Sequence, residues 1–365
     1  MAELSLFLCG DVMLGRGVDQ IQRVPSRPRL FESRAKSALL YVRLAEERHG
    51  PIPRHVQPDY VWGDALACLA KETPDLRIIN LETAVTTSRR PWPKGINYRM
   101  HPANIGCLTA AGIDCCVLAN NHVLDWGREG VVETLECLRG AGIEVAGAGS
   151  NAVAAAAPAI LPGSDHGRVL VFGFATASSG VPAAWAAESS SPGVNLLPDL
   201  SERRAADLAE AARRFRKPGD RLIASIHWGG NWGHAIDADQ RSFAHALIDG
   251  GFDLVHGHSS HHPKALELYR QKLILYGCGD FINDYEGIAG YEQFRSDLTL
   301  MYFPRLAAET GMLRLLRAVP MQINRFRLQR PPAHDAKWLY HVLAHESGKL
   351  GTRLTWHDDG CFEAS

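Results

Sequence analysis

The feature that most constrains this chain is a recurring unit: a short apolar run, a small or polar residue at its end, then a stretch with helical character. Residues 4–9 lead into Gly10-Asp11, 76–81 into Glu82, 113–118 into Asn120-Asn121-His122, and 169–174 towards Thr176. Residues 222–226 lead into His227-Trp228-Gly229, 252–255 into His256-Gly257-His258, and 273–276 into Gly277-Cys278-Gly279-Asp280. Helices are expected between them over 129–140, 200–215 and 239–250, the last two with apolar residues at helical spacing. Short buried strands alternating with helices predict an α/β fold. Open α/β sheets hold their ligands beyond the carboxyl ends of the strands, which is where these polar residues fall.

A chain of 365 residues, 46% of them hydrophobic, can bury one large core, with or without a smaller appendage. Residues 24–58 are rich in Pro and Arg, with a helix expected over 31–48, and read as an insertion beside that core. The formal net charge of −1 gives no electrostatic case for a nucleic acid or an anionic membrane as partner. The eight cysteines include no CxxC pair, which argues for free thiols in a reducing compartment and against a zinc–thiolate site. The N-terminus has no basic or long apolar leader, and no apolar run is long enough to span a bilayer, so a cytoplasmic location is expected.

Five of the runs end in a side chain able to bind a metal: Asp11, Glu82, Asn121, His227 and His258, with His261 three residues further on. Glycines around Asp11 let the chain turn and bring a carboxylate to a centre, and a carboxylate such as Glu82 can bridge two cations. The run His256-Gly257-His258-Ser259-Ser260-His261-His262-Pro263 is framed by Gly257 and Pro263, so it is a loop of imidazoles and not a helical pair. Imidazoles mixed with carboxylates suit Mn, Zn or Fe better than Ca or Mg. One or two divalent ions are expected and no organic cofactor; a two-ion site would hold them about 3.5–4 Å apart. His122, directly after Asn121, is the natural acid or base, while His234 and His262 are open as neighbours of the metal or of substrate.

In this order the motifs resemble the calcineurin-like metallophosphoesterase superfamily, and more closely its capsule-synthesis (CapA, poly-γ-glutamate) branch. The stretches that carry the resemblance are Gly10-Asp11-Val12-Met13-Leu14-Gly15-Arg16, Asn80-Leu81-Glu82, Ala119-Asn120-Asn121-His122 through Asp125 and Gly127, His227-Trp228-Gly229, Gly257-His258 through His261, and Tyr276-Gly277-Cys278-Gly279-Asp280-Phe281. The resemblance implies a four-layer α/β/β/α sandwich, with a catalytic domain over 1–305 and a C-terminal extension, 306–365, packed on it. It gives Asp11 and His261 to a first metal, Glu82 to a bridge, and Asn121, His227 and His258 to a second. It makes His122 the acid/base, with Asp125 beside it. Two positions depart from phosphoesterases: Met13 stands where a His is usual, and the bridge is Glu82 in place of Asp. Both are typical of the CapA branch and weaken the case for phosphoester hydrolysis.

Soluble relatives of that branch include lasso-peptide epimerases, which invert a Cα centre of a ribosomal precursor peptide. The expected function is therefore metal-dependent peptide epimerisation, with the metal stabilising an enolate-like charge. The alternatives are a metal-dependent hydrolase of phosphoester or amide bonds and a CapA-like polymer-synthesis protein. For a peptide substrate, Arg16 and Arg99 are candidate carboxylate anchors, with Arg89, Arg90 and Lys94 on the same surface. Trp126, Trp228 and Trp232 are candidates for an apolar wall, and Asp280 is grouped with the substrate-binding residues.

Overall fold

The structure is a computed structural model and describes residues 2–163 and 167–364. Two large sheets carry the fold. The ten-stranded sheet has the order Thr355–Trp356, Phe362–Ala364, Leu313–Asn324, Leu298–Ala307, Glu3–Val12, Leu76–Leu81, Cys115–Val117 and Glu144–Ala146, with Asp280–Ile282 and Arg327–Gln329 paired off this path. The seven-stranded sheet has the order Leu196–Leu197, Arg168–Thr176, Arg221–His227, Leu254–His258, Lys272–Leu275 and Leu266–Tyr269, with Ala159–Pro162 paired to Arg168–Thr176. The central strands of each sheet are parallel, so within each sheet their carboxyl ends share one edge. This is a mixed α/β architecture.

Strand periodicity decides where each side chain goes. Along Glu3–Val12, Leu4, Leu6 and Leu8 enter an apolar cluster that also holds Val169, Val171, Ile223, Leu254 and Leu275 of the other sheet. Phe7 and Cys9 point the opposite way, into a cluster with Val131, Leu135 and Leu138 of the helix Gly127–Gly140. The far face of the seven-stranded sheet (Leu170, Phe172, Ala224, Ile226) packs on Ala205, Ala209 and Ala212 of the helix Glu202–Arg213 and on Phe243, Ala244 and Leu247 of Ala238–Asp249. Strands buried on both faces read as continuous apolar runs, which is why they were visible in sequence.

Two expected helices are corrected. The helix expected over 200–215 begins at Glu202, because Ser201 caps it by accepting from the Arg204 amide at 3.2 Å. The helix expected over 31–48 is only Leu39–His49; residues before it form a turn closed by the Arg29–Ser37 bridge, with Glu32 drawn away to Arg16. The segment 306–365, expected as an extension packed on the core, supplies strands of the ten-stranded sheet, beginning with the hairpin of Leu298–Ala307 and Leu313–Asn324. Its helix, Ala333–Gly348, buries Leu339 and Leu343 in the cluster shared by both sheets. Among the described residues, no helix is long and apolar enough to cross a membrane.

Candidate metal centre

Asp11 lies inside its strand, two residues beyond the expected end, because Asp280–Ile282 pairs alongside and extends it. The Asp11 amide donates to the Gly279 carbonyl at 2.8 Å, and a Cβ on Gly10 would lie 1.7 Å from that same oxygen. Only glycine at position 10 permits this approach, and the approach brings Asp280 beside Asp11. Asp11 Oδ1 accepts from Asn80 Nδ2 at 2.6 Å and Oδ2 from the Ser259 amide at 3.1 Å, so both oxygens are fixed.

Two groups of metal donors share Asp11: one adds His227 and His258, the other Glu82 and Asp280, with ligand atoms in each group within 4.8 Å of one another and every residue buried. In the first, His258 Nδ1 lies 3.7 Å and His227 Nδ1 4.0 Å from Asp11 Oδ1. Asn121 Oδ1 lies 3.2 Å from His227 Nε2, and Glu82 Oε1 lies 3.8 Å from that nitrogen.

A chain of hydrogen bonds fixes the tautomers. The Cys9 carbonyl can only accept, so His256 Nε2, 2.8 Å away, carries the hydrogen. Burial pushes the His256 pKa down to about 4, leaving the ring neutral and its Nδ1 an acceptor. That nitrogen takes the Ser225 hydroxyl hydrogen at 3.0 Å. Ser225 Oγ must then accept from His258 Nε2, also at 3.0 Å, which leaves His258 Nδ1 with a bare lone pair. His227 donates from Nε2 to the Asn121 amide oxygen, so its Nδ1 is bare as well. The two bare atoms face each other at 2.8 Å.

Charge tells the same story. Burial, then the neighbouring Asp280, pushes Asp11 up to about 8. Burial, then Asp11 and Asp280, raises Glu82 well above the carboxylate range. Burial holds His227 and His258 far below the usual imidazole range. Among the described residues the buried Glu82 Oε2 has no hydrogen-bond partner. Facing lone pairs, crowded carboxylates and an orphaned oxygen are each unfavourable alone, and a divalent cation satisfies all three. The residues present fit the metal that their types suggested.

Beside the donors, His122 Nδ1 donates to Asp125 Oδ2 at 2.6 Å, and Asp125 also accepts from the Tyr98 amide. His122 Nε2 therefore bears the lone pair, 3.9 Å from Glu82 Oε1. Burial lowers the His122 pKa to about 4, with Asp125 opposing. The ring stacks on Tyr98 at 3.8 Å, and Lys94 Nζ sits 2.8 Å from Asp125 Oδ1.

The family profile described as Bacterial capsule synthesis protein PGA_cap matches residues 5–285. The chain belongs to this family. It is also 45% identical to a probable polyglutamine synthesis accessory protein of Mycobacterium tuberculosis (strain ATCC 25618 / H37Rv), over 99% of this chain and 95% of that one. The capsule biosynthesis protein CapA of Bacillus anthracis is 25% identical over 88% of this chain and 68% of its own length. The PGA biosynthesis protein CapA of Bacillus subtilis (strain 168) is 25% identical over 82% and 67%. The PGA_cap match spans every strand end that contributes a donor.

Within this PGA_cap chain, several expected residues fall elsewhere. His261 lies outside the two donor groups, with Nδ1 donating to Asp280 Oδ1 at 2.9 Å and Nε2 accepting from Asn231 at 2.9 Å, while Asp280, expected at substrate, belongs to one of those groups. Arg16 is buried and used up by Asp284 and Glu32, with Nε 3.2 Å and Nη1 3.0 Å from them, so it has no free face for a substrate carboxylate. Arg99 stacks on Trp126 at 3.8 Å and donates to the Ser88 carbonyl at 2.6 Å. Trp126 is buried and donates to the Tyr98 carbonyl. Trp228 is core, packed on Tyr276 and Phe243 with its indole N–H on the Tyr276 carbonyl. Of the three tryptophans, Trp232 is the one against His261, with ring centroids 5.2 Å apart. Sequence reading missed Ser225 and carried Asn80, His256 and Ser259 within its motifs without a role; polar residues within or at the ends of otherwise apolar strands were the available signal.

Proposed function

We propose that this protein is a metal-dependent enzyme of a CapA-like pathway that builds a glutamate-containing polymer, acting on a peptide-like chain. The observation that carries the reading is the pair of bare imidazole nitrogens facing each other beside Asp11. Asp11, His227 and His258 would hold one divalent ion, Asp11, Glu82 and Asp280 a second, with Asn121 completing the first set. When bound, the metal supplies a Lewis acid that polarises a substrate oxygen and acidifies water. Mn, Zn and Fe are the ions such donors favour.

The chain's own residues do the rest. Asp125 fixes the His122 tautomer, and Lys94 holds Asp125 in place. With its pKa near 4, His122 enters the reaction as a base, and Nε2 is the atom that takes the proton. The two sheets, with helices packed on their outer faces, are read as the four-layer α/β/β/α sandwich of metallophosphoesterases. This reading rests on the three large apolar clusters. The epimerase expectation has no counterpart in the relatives named above, whose printed roles concern polymer synthesis; those names support the polymer reading in its place. A cytoplasmic location is kept as part of the proposal.

The test is incubation of the Mn- or Zn-loaded protein with γ-linked oligoglutamate, followed by mass spectrometry. Cleaved, extended or transferred chains that need both metal and His122 support the reading. An unchanged chain that gains deuterium at a Cα in heavy water would return the epimerase to first place.

A further inference from the structure

A second feature lies one residue beyond Asp125. Arg29, Phe31, Trp126 and Arg99 form a continuous stack: Arg29 lies 5.3 Å from the Phe31 ring centroid, Phe31 meets Trp126 edge-on at 6.1 Å, and Arg99 lies 3.8 Å over Trp126. Arg99 also donates to the Arg27 carbonyl at 3.3 Å, which draws Arg27 in, and the charges of Arg27 and Arg89 both press on Arg99. Four guanidiniums are thus gathered on one face of a chain whose formal net charge is −1.

Among the described residues none of the four makes an ion pair with a carboxylate, whereas the adjacent Arg90 pairs with Glu129 at 3.0 Å. The acids that act on Arg99 are Asp19 and Glu133. Their oxygens are bound by the Ser26 and His101 amides and by Thr86 and Thr87. Four guanidiniums against these two carboxylates leave an excess of positive charge, which an anion would relieve. The Nε of Arg99 is buried and unpartnered.

We propose that Arg27, Arg29, Arg89 and Arg99 form a binding track for an acidic polymer, a chain of repeated carboxylates, on the surface beside the segment that carries His122, Asp125 and Trp126. Guanidinium forks match carboxylates in geometry, and a track of them holds successive residues of one chain. A nucleic acid would need free aromatic faces for its bases, and here guanidiniums cover Phe31 and Trp126. The proposal takes its polymer from the function proposed above, and its test is independent of the metal.

The test uses the full chain in EDTA and the fluorescence anisotropy of a labelled γ-linked oligoglutamate. The wild type is expected to bind, and more weakly as salt rises. The exposed-site variant R27E/R89E should bind at least about tenfold more weakly, and R29Q/R89Q should show a smaller loss in the same direction. Equal binding by R27E/R89E, no binding by the wild type, or equal competition from single-stranded DNA of the same charge would overturn the proposal. If Mn and Zn fail to bind but this pattern holds, the metal reading falls and the polymer track stands.

Discussion

His227 Nδ1 and His258 Nδ1 face each other across 2.8 Å, both with bare lone pairs, beside a shared carboxylate oxygen of Asp11. Each nitrogen is bare because its partner nitrogen is committed, to Asn121 in one ring and to Ser225 in the other. Ser225, outside the donor set, and Asn121, which completes it, therefore prepare the donor pair in advance.

The first prediction concerns that preparation. Ser225→Ala leaves His258 Nε2 without its acceptor and frees the ring to take the other tautomer. Affinity for Mn or Zn should fall by about 10- to 100-fold, as for other outer-shell partners of metal-binding His. Calorimetric titration checks this, and an unchanged affinity would remove Ser225 from the relay.

The second concerns pH. Asp11 is raised to about 8 in the folded, metal-free protein, above its ordinary value of 3.8. A raised carboxyl pKa means the folded state holds a proton that the unfolded state has lost. Its stabilisation is complete below pH 3.8 and is lost as pH rises towards 8. Metal uptake must expel that proton, so affinity should climb with pH up to about 8 and then level off. Thermal melts with and without metal between about pH 7 and 8, above the range in which the buried imidazoles take up protons on unfolding, check both signs; a metal-free melt that rises there contradicts them.

The third separates base from ligand. His122→Ala and Asp125→Asn should keep their metal and lose turnover of the glutamyl chain by about 10²–10⁴-fold. Loss of metal in either variant would place His122 among the ligands instead.

The fourth follows from the corrected role of Arg16. Arg16→Ala leaves Asp284 buried without its cation, which should cost about 3–5 kcal/mol in urea denaturation. A small stability loss joined to lost oligoglutamate binding would restore Arg16 as a substrate anchor.

Much of the site was readable from residue order. Asp11, Glu82, Asn121, His227 and His258 each follow an apolar run, and parallel pairing of those runs brings their ends together. Pairings across the fold were not readable. His261 and Asp280 are 19 positions apart yet hydrogen-bonded, and Asp280 joins Asp11 because Asp280–Ile282 pairs with the first strand there. Arg16 looked free in sequence because Asp284, its partner, lies 268 positions away. The tryptophans sat beside metal motifs in sequence, yet strand alternation sends Trp228 into the core behind the sheet.

The most direct test of the central claim is the metal content of the purified protein, by elemental mass spectrometry, alongside Asp11→Asn and His258→Gln. The account predicts at least one equivalent of Mn, Zn or Fe in the wild type, or stoichiometric uptake on titration, and its loss in both variants. A folded wild type that neither carries nor takes up any of these ions would contradict it.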